Sequence, residues 1–239
     1  MKIFIITGII TLIAISVWYA KKKGVTAEFK TESIKIETKI DSPIDFGYKT
    51  VWIAVKTDNK QRVAEILKLK NIQPSNWKSG IETAYANGVF ITPQIGKWTL
   101  AVGMKLVNDG NLENINQLEK FLNKLSSEFG EAQSFGTYRV VEYHHWMKSV
   151  DGKTKRIYSY IGERGENIKV YGGLTEPENG LNLFNSLSKE AESDEYWERE
   201  DLDYADEELV MKIAENWSVN PTKLTERKDI KNELGLIGN

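Results

Sequence analysis

Residues Tyr138–Tyr171, YRVVEYHHWMKSVDGKTKRIYSYIGERGENIKVY, contain the clearest pattern of strands and turns in the chain. Apolar and polar side chains alternate along this stretch, and Asp151-Gly152 is a strong signal for a two-residue hairpin turn. A weaker turn signal lies near Arg164-Gly165. The pattern predicts a three-stranded antiparallel meander, with strands at Tyr138–Met147, Lys153–Ile161 and Asn167–Tyr171.

The hairpin turn also predicts which residues of the first two strands face each other. A two-residue loop pairs the residues that flank it and sets the register of the remaining pairs. The predicted pairs are Trp146 with Ile157, His144 with Ser159, and Tyr143 with Tyr160.

Upstream of the meander, short apolar strands alternate with helices. Val51–Val55 is a nearly continuous apolar run, which is typical of a buried strand. Asn114–Phe129 has apolar side chains at helical spacing and is followed by Gly130, a frequent helix stop. The predicted fold class is therefore α+β, with a mixed or antiparallel sheet, the meander, packed helices and one N-terminal transmembrane helix.

The predicted transmembrane helix occupies residues 3–20, which contain no charged side chain and are followed by Lys21, Lys22 and Lys23. At ~1.5 Å per residue, such a helix is just long enough to cross a bilayer core of ~30 Å. Because positive charge beside an apolar segment tends to stay in the cytoplasm, we expect a single-pass protein of the bacterial inner (cell) membrane with a cytoplasmic main domain. A cleaved signal peptide is the alternative.

Composition divides the chain into four parts. The polar second part has alternating isoleucines at Ile34, Ile36 and Ile40, so it is either a tether or an edge strand. The predicted parts are residues 1–23, the anchor; 24–47, the polar tether or edge strand; 48–189, the α+β globular domain; and 190–239, an acidic segment with a C-terminal helix.

Charge and residue usage exclude several classes of function. The formal net charge of −2 provides no basic field for nucleic acid, and the absence of cysteine excludes disulfides and thiolate chemistry. The glycines after the meander lack the motifs of phosphate-binding and dinucleotide-binding loops. We therefore expect no nucleic-acid partner, no cofactor and no metal site.

Glu142 and His144 are the only residues whose chemistry and spacing suggest an enzyme. On a strand they share a face and could form a carboxylate–imidazole pair for general-base catalysis, whereas His144 and His145 point to opposite faces. No nucleophile or third ligand occurs at a recognisable spacing. We therefore expect no catalytic residues, and a structural role for both histidines, while an envelope-associated hydrolase that uses Glu142 and His144 stays open as an alternative.

The acidic run from Glu190 to Glu208 holds eleven carboxylates against one arginine. Within it, Tyr196 and Trp197 form an aromatic pair in a field of negative charge, which is what a contact surface for a basic partner would contain. A solvated, partly disordered linker is the other interpretation. The predicted partner-binding residues are Asp194, Glu195, Tyr196, Trp197, Glu198, Asp201 and Asp203.

Six short segments together resemble a family of uncharacterised bacterial proteins. They are Trp77–Ile81, Val89–Pro93, Trp98–Gly103, Leu125–Gly130, Arg139–Trp146 and Trp217–Pro221. The chain is also similar in general character to the small immunity proteins that accompany bacterial polymorphic toxins. This resemblance implies a partner-specific binding protein and supplies no catalytic residues.

These observations predict a membrane-anchored, non-enzymatic binding protein. The leading hypothesis is an immunity protein that neutralises a bacterial toxin by occluding it, with a basic toxin as the partner. The alternatives are the hydrolase described above and a scaffolding protein of the envelope.

Overall fold

The computed structural model describes residues 34–106 and 110–239, and this part of the chain has the predicted α+β class. Its strands are β1 Thr50–Val55, β2 Gln73–Ser75, β3 Val89–Ile91, β4 Thr99–Val102, β5 Glu131–Tyr138, β6 Tyr143–Val150, β7 Lys153–Ile161, β8 Glu166–Tyr171 and β9 Gly235–Gly238. Its α-helices are α1 Lys60–Ile66, α2 Trp77–Ala86, α3 Leu112–Phe129, α4 Asp194–Trp197 and α5 Glu207–Trp217.

The nine strands form one sheet in the order β2-β9-β3-β4-β1-β5-β6-β7-β8. Every neighbouring pair is antiparallel, so the alternative of a mixed sheet is wrong. The predicted strand at Val51–Val55 is β1, which lies between β4 and β5 and is buried along its whole length. The short C-terminal strand β9 lies between β2 and β3, and it ties the end of the chain into the sheet.

The meander is present, but β5 precedes it and the predicted first strand crosses a turn. Tyr138 ends β5, residues 139–142 form the turn, and Tyr143 begins β6. Glu142 adopts a left-handed conformation in this turn, with φ at 50°. The interpretation of Tyr138–Met147 as one strand is therefore wrong, although β6, β7 and β8 pair in the predicted order.

The Asp151-Gly152 turn forms as predicted, but the register changes beyond it. Val150 pairs with Lys153 and Ser149 with Thr154, and then Lys148 pairs with Arg156, so Lys155 is the extra residue of a β-bulge. All three predicted pairs are consequently wrong by one residue. The observed pairs are Trp146 with Tyr158, His144 with Tyr160, and Tyr143 with Ile161.

The two faces of the sheet are covered by different parts of the chain. Helices α1 and α3 cover one face, the α3 face, through apolar side chains such as Ile115, Leu118 and Leu122. The other face, the α5 face, lies under α2, α5 and the chain between β8 and α5. There Trp146 stacks on Tyr158 with ring centroids 4.4 Å apart.

Residues 34–47 contain no strand, so the expectation of an edge strand is wrong for this segment. Its polar groups instead bond to the start of α2, where the Asp41 carboxylate accepts hydrogen bonds from the backbone N–H groups of Trp77, at 2.8 Å, and Lys78, at 3.0 Å. These are two of the N–H groups that a helix leaves unpaired at its first turn. The segment therefore caps a helix and does not extend the sheet.

The predicted anchor at residues 3–20 lies outside the described residues. Within residues 34–106 and 110–239, no helix has both the length and the apolar composition needed to cross a bilayer.

Candidate functional site

The acidic run folds onto the α5 face, and the interpretation of a disordered linker does not hold. Asp203 pairs with Leu183 in a short parallel bridge, with hydrogen bonds from Asp203 N to Asn182 O at 2.8 Å and from Phe184 N to Asp203 O at 2.9 Å. The run also contains α4 and the start of α5. Its carboxylates are therefore held on a scaffold.

The two aromatic side chains of the run have different environments. Tyr196 is only 4% exposed, and its hydroxyl oxygen accepts a hydrogen bond from Asn185 N at 2.6 Å. Trp197 is 54% exposed, donates its indole N–H to Ala191 O, and packs edge-on against Phe184. The expectation of an exposed aromatic pair is thus wrong for Tyr196, which is part of the core, and holds for Trp197.

Two of the predicted partner-binding carboxylates are used within the protein. Arg199 binds Asp201 through two N–H groups, each 2.8 Å from a carboxylate oxygen, and this lowers the pKa of Asp201 to about 2. Asp203 accepts a hydrogen bond from Asn182 N at 2.7 Å. These two residues therefore hold the segment in place.

The remaining predicted carboxylates take part in no ion pair among the described residues. Asp194, Glu195 and Glu198 are exposed and make no ion pair with any residue in the described ranges. The same is true of three further acidic residues of the run: Glu192, Glu200 and Glu208. Six exposed carboxylates without an ion-pair partner among the described residues therefore lie in the same folded run as the exposed ring of Trp197.

A cleft of about 630 Å³ opens where the run reaches α5. Its walls come from the β5–β6 turn, from β6 and β7, and from the residues that lead into α5. The lining residues are Arg139, Glu142, His144, Tyr160, Tyr204, Ala205, Asp206, Glu207 and Glu208.

The electrostatics of the cleft are dominated by carboxylates. Arg139 is bound by Glu207, with N–O distances of 2.7 and 3.3 Å, and Thr137 donates a further hydrogen bond to Glu207. Asp206 caps α5 by accepting a hydrogen bond from Leu209 N at 2.7 Å. Glu142 and Glu208 have no ion-pair partner in the described part of the chain, so the cleft is negative overall.

His144 and Tyr160 form the buried floor of this cleft. Burial lowers the pKa of His144, although Glu207, Asp206 and Glu142 act in the opposite direction, so its imidazole is neutral at neutral pH. Burial also raises the pKa of Tyr160, with a further contribution from Glu142. The floor is therefore uncharged, and the charge lies at the rim.

The predicted Glu142–His144 pair does line one cleft, but Glu142 reaches it from the β5–β6 turn and not from the strand. The lining residues contain no serine, threonine, cysteine or lysine that could act as a nucleophile. Among the described residues, no group of three His, Cys, Asp or Glu side chains is placed to hold a metal ion. Carboxylate side chains also serve as nucleophiles and bases in hydrolases, so the hydrolase hypothesis stays a prediction.

His145 lies on the opposite side of β6, as strand alternation predicts. It is fully buried, and its Nε2 is 3.0 Å from the Ser134 hydroxyl oxygen. Burial is the main reason that its pKa is lowered to about 3. The two adjacent histidines therefore have unrelated environments.

Several cleft residues carry no signal in the sequence. Tyr160 and Tyr204 are 44 positions apart, and their rings lie 6.0 Å apart only because the acidic run folds back over β7. Arg139 lies over the ring of Tyr48, which is 91 positions earlier in the chain, because β1 pairs with β5. No local sequence pattern could have predicted that these side chains lie close together.

No protein-family model, curated protein or solved structure matches this chain. The resemblance to immunity proteins stays a prediction, and function has to be inferred from the geometry and charge of the surface.

Proposed function

We propose that this protein is a non-enzymatic binding protein that engages a basic protein partner, and that it acts as a membrane-anchored immunity protein which occludes a bacterial toxin. The observation that carries the proposal is the set of six exposed carboxylates, without an ion pair in the described part of the chain, that share one folded segment with the exposed Trp197. Membrane attachment through residues 3–20, and a cytoplasmic position of the domain, are supported by the sequence pattern alone.

Charge separation supports a basic partner. The whole chain has a formal net charge of only −2, yet eleven of its 34 acidic residues lie within nineteen consecutive positions. A concentrated negative surface steers a basic partner into encounter and disfavours neutral or acidic ones. The partner is therefore expected to present a basic surface, as the active site of a toxin that acts on nucleic acid would.

Ordered aromatic side chains support stable binding, in addition to the steering that the charges provide. Trp197 and Tyr204 are each about half exposed and both contact the buried ring of Phe184, so their positions are set before a partner arrives. Large aromatic side chains held in this way are frequent anchors of protein interfaces and lose little conformational entropy on binding. Carboxylates provide the rim around such anchors.

The test is co-purification from the source cells, with the full 239-residue chain as bait and mass spectrometry as the readout. We expect one stoichiometric basic protein at low salt that is released at high salt, because screening weakens exposed charge pairs. Glu195→Lys with Glu198→Lys should abolish its capture. A blank result, or capture that survives this double reversal, would refute the proposal.

The matched control is Glu82→Lys with Glu226→Lys, which changes the net charge by the same amount. Both residues are exposed and make no ion pair within the described ranges. Capture should persist in this variant. Loss in both variants would mean that the total charge, and not this surface, governs the interaction.

A second candidate function is favoured by one observation, the placement of Glu142 and His144 in one cleft. A hydrolase that uses them would lose its cellular phenotype in Glu142→Gln and His144→Ala variants that still fold. An unchanged phenotype would remove the enzyme hypothesis. A scaffolding role would instead be favoured by capture of a membrane protein that is insensitive to salt.

A further inference from the structure

The cleft beside α5 contains more negative charge than the protein itself neutralises. Four of its lining residues are acidic, namely Glu142, Asp206, Glu207 and Glu208, and only Arg139 is basic. Glu207 already accepts hydrogen bonds from Nε and Nη2 of the Arg139 guanidinium. The other three carboxylates face the same cleft without a cation from the described residues.

The floor of the cleft offers polar groups that have no partner. His144 is only 4% exposed, and its buried Nδ1 makes no hydrogen bond to a described residue. The Tyr160 hydroxyl, on a side chain that is 6% exposed, likewise makes no hydrogen bond there. A buried polar atom without a partner is costly, so the His144 Nδ1 indicates that the cleft receives a ligand that can donate a hydrogen bond.

The walls suit a flat cation. The rings of Tyr160 and Tyr204 lie 6.0 Å apart and are inclined to each other by 56°. Tyrosine rings attract cations, and a guanidinium group also stacks on them and forms paired hydrogen bonds with carboxylates. A bare metal ion is less suited, because the described acidic side chains do not converge in a group of three.

We propose that this cleft is a subsite for the guanidinium group of an arginine side chain presented by the protein partner. This inference rests on the proposed function and identifies the anchor of that interaction. The carboxylates at the rim accept the guanidinium N–H groups, and one face of the guanidinium lies against the tyrosine rings. The neutral His144 imidazole offers a ring nitrogen as a further acceptor and adds no repelling charge.

The test uses N-acetyl-arginine methylamide as the probe and the full-length chain as the protein. The chain has only two histidines, so their imidazole NMR signals can be assigned with a single His144→Gln variant. We expect the His144 signals to shift saturably, with half-saturation on the order of 1–10 mM for a single side chain. The His145 signals should hardly move, because that ring is buried on the other side of the strand.

Two comparisons make the test specific. The citrulline analogue has the same shape without the charge, and it should not shift His144. Glu142→Gln and, separately, Glu208→Gln should raise the half-saturation concentration about 5- to 10-fold, since each removes one charge-assisted acceptor. Glu82→Gln, on an exposed residue of α2, is the matched control and should leave binding unchanged.

An equal shift with citrulline, unchanged binding in both cleft variants, or no saturable shift would each overturn the subsite. The outcome is separable from that of the proposed function. If the partner is captured but the probe does not bind, the acidic surface acts without this subsite. If the probe binds and no partner is captured, the subsite stands and the proposed function fails.

Discussion

The α3 face and the α5 face of the sheet are built by different means. The α3 face is covered mainly by one long helix whose apolar stripe packs on β1, β5, β6 and β7. The α5 face is covered by short helices and irregular chain, and it contains a buried ion pair, stacked rings and the cleft. The comparison indicates that the α3 face mainly supplies stability, whereas the α5 face combines stability with the surface to which we assign the proposed binding.

The largest effect should come from the buried ion pair on the α5 face. Arg156 and Glu178 are almost fully buried, and Arg156 Nη2 lies 2.7 Å from Glu178 Oε1. Glu178 also accepts a hydrogen bond from the indole N–H of Trp146. Burial favours the neutral acid, but the hydrogen bonds from Arg156 and Thr175 outweigh it and lower the pKa of Glu178. Glu178→Ala should therefore lower the free energy of unfolding by about 3–5 kcal/mol, because it leaves a buried unpaired cation.

Denaturant unfolding of Glu178→Ala measures this loss, and a double variant shows its cause. Arg156→Met combined with Glu178→Leu removes both charges and should recover at least half of the stability, even though Trp146 loses its acceptor. No recovery would mean that packing, and not the unpaired charge, explains the loss. The α5 face would then be stabilised mainly by packing, as the apolar α3 face is.

The next largest effect tests the apolar α3 face. Leu122 is 1% exposed on α3, so Leu122→Ala should cost about 3 kcal/mol through lost burial and a residual cavity. The same substitution at Leu187, which is 59% exposed on the α5 side, should change the free energy of unfolding by less than about 0.5 kcal/mol. Similar losses at the two positions would contradict the assignment of Leu187 to a solvent-facing surface.

The elements of the fold that could be predicted are those with a local signal. Helix α3 has a regular apolar stripe, β1 is a continuous apolar run, and Asp151-Gly152 is a strong turn dipeptide. Strand β5 was missed because its residues are buried on both faces and include Gly136, so neither alternation nor an apolar run appears. Strand β9 was missed because it is only four residues long and two of them, Gly235 and Gly238, are glycines, which are rare in strands.

The site could be predicted only in part, for reasons of distance along the chain. The acidic run is visible as composition, and Glu142 and His144 are visible as neighbours. The bulge at Lys155, which places Tyr160 opposite His144, has no sequence signature. The burial of Tyr196 depends on Asn185 and Phe184, which are brought to it by tertiary packing.

A smaller effect, on the pH dependence of the free energy of unfolding, should distinguish His145 from the adjacent His144. The folded pKa of His145 is about 3 against an ordinary value of 6.5, so the unfolded chain takes up a proton first as the pH falls. The neutral His145 therefore contributes its full share to the free energy of unfolding above pH 6.5, and this share is lost progressively as the pH falls to 3. At pH 5 the loss is about 2 kcal/mol. The difference in unfolding free energy between pH 7 and pH 5 should therefore shrink by that amount in His145→Gln.

The carboxylates affect the wild type and the His145→Gln variant alike, so the comparison isolates the imidazole. An unchanged pH dependence in the variant would show that His145 is protonated in the folded protein, in conflict with its burial beside Ser134.

The smallest effect is expected where the proposed binding surface is most exposed. Glu192 and Glu200 lie in the acidic run, have no ion pair in the described part of the chain, and are surrounded by like charges. Neutralising both, as Glu192→Gln with Glu200→Gln, should leave the unfolding temperature unchanged or raise it by less than about 2 °C at low salt, because it relieves repulsion. The rise should vanish at ~0.5 M salt. A fall of several degrees would mean that these carboxylates hold the fold together as Asp201 and Asp203 do, whereas an unchanged unfolding temperature would show that folding does not require them.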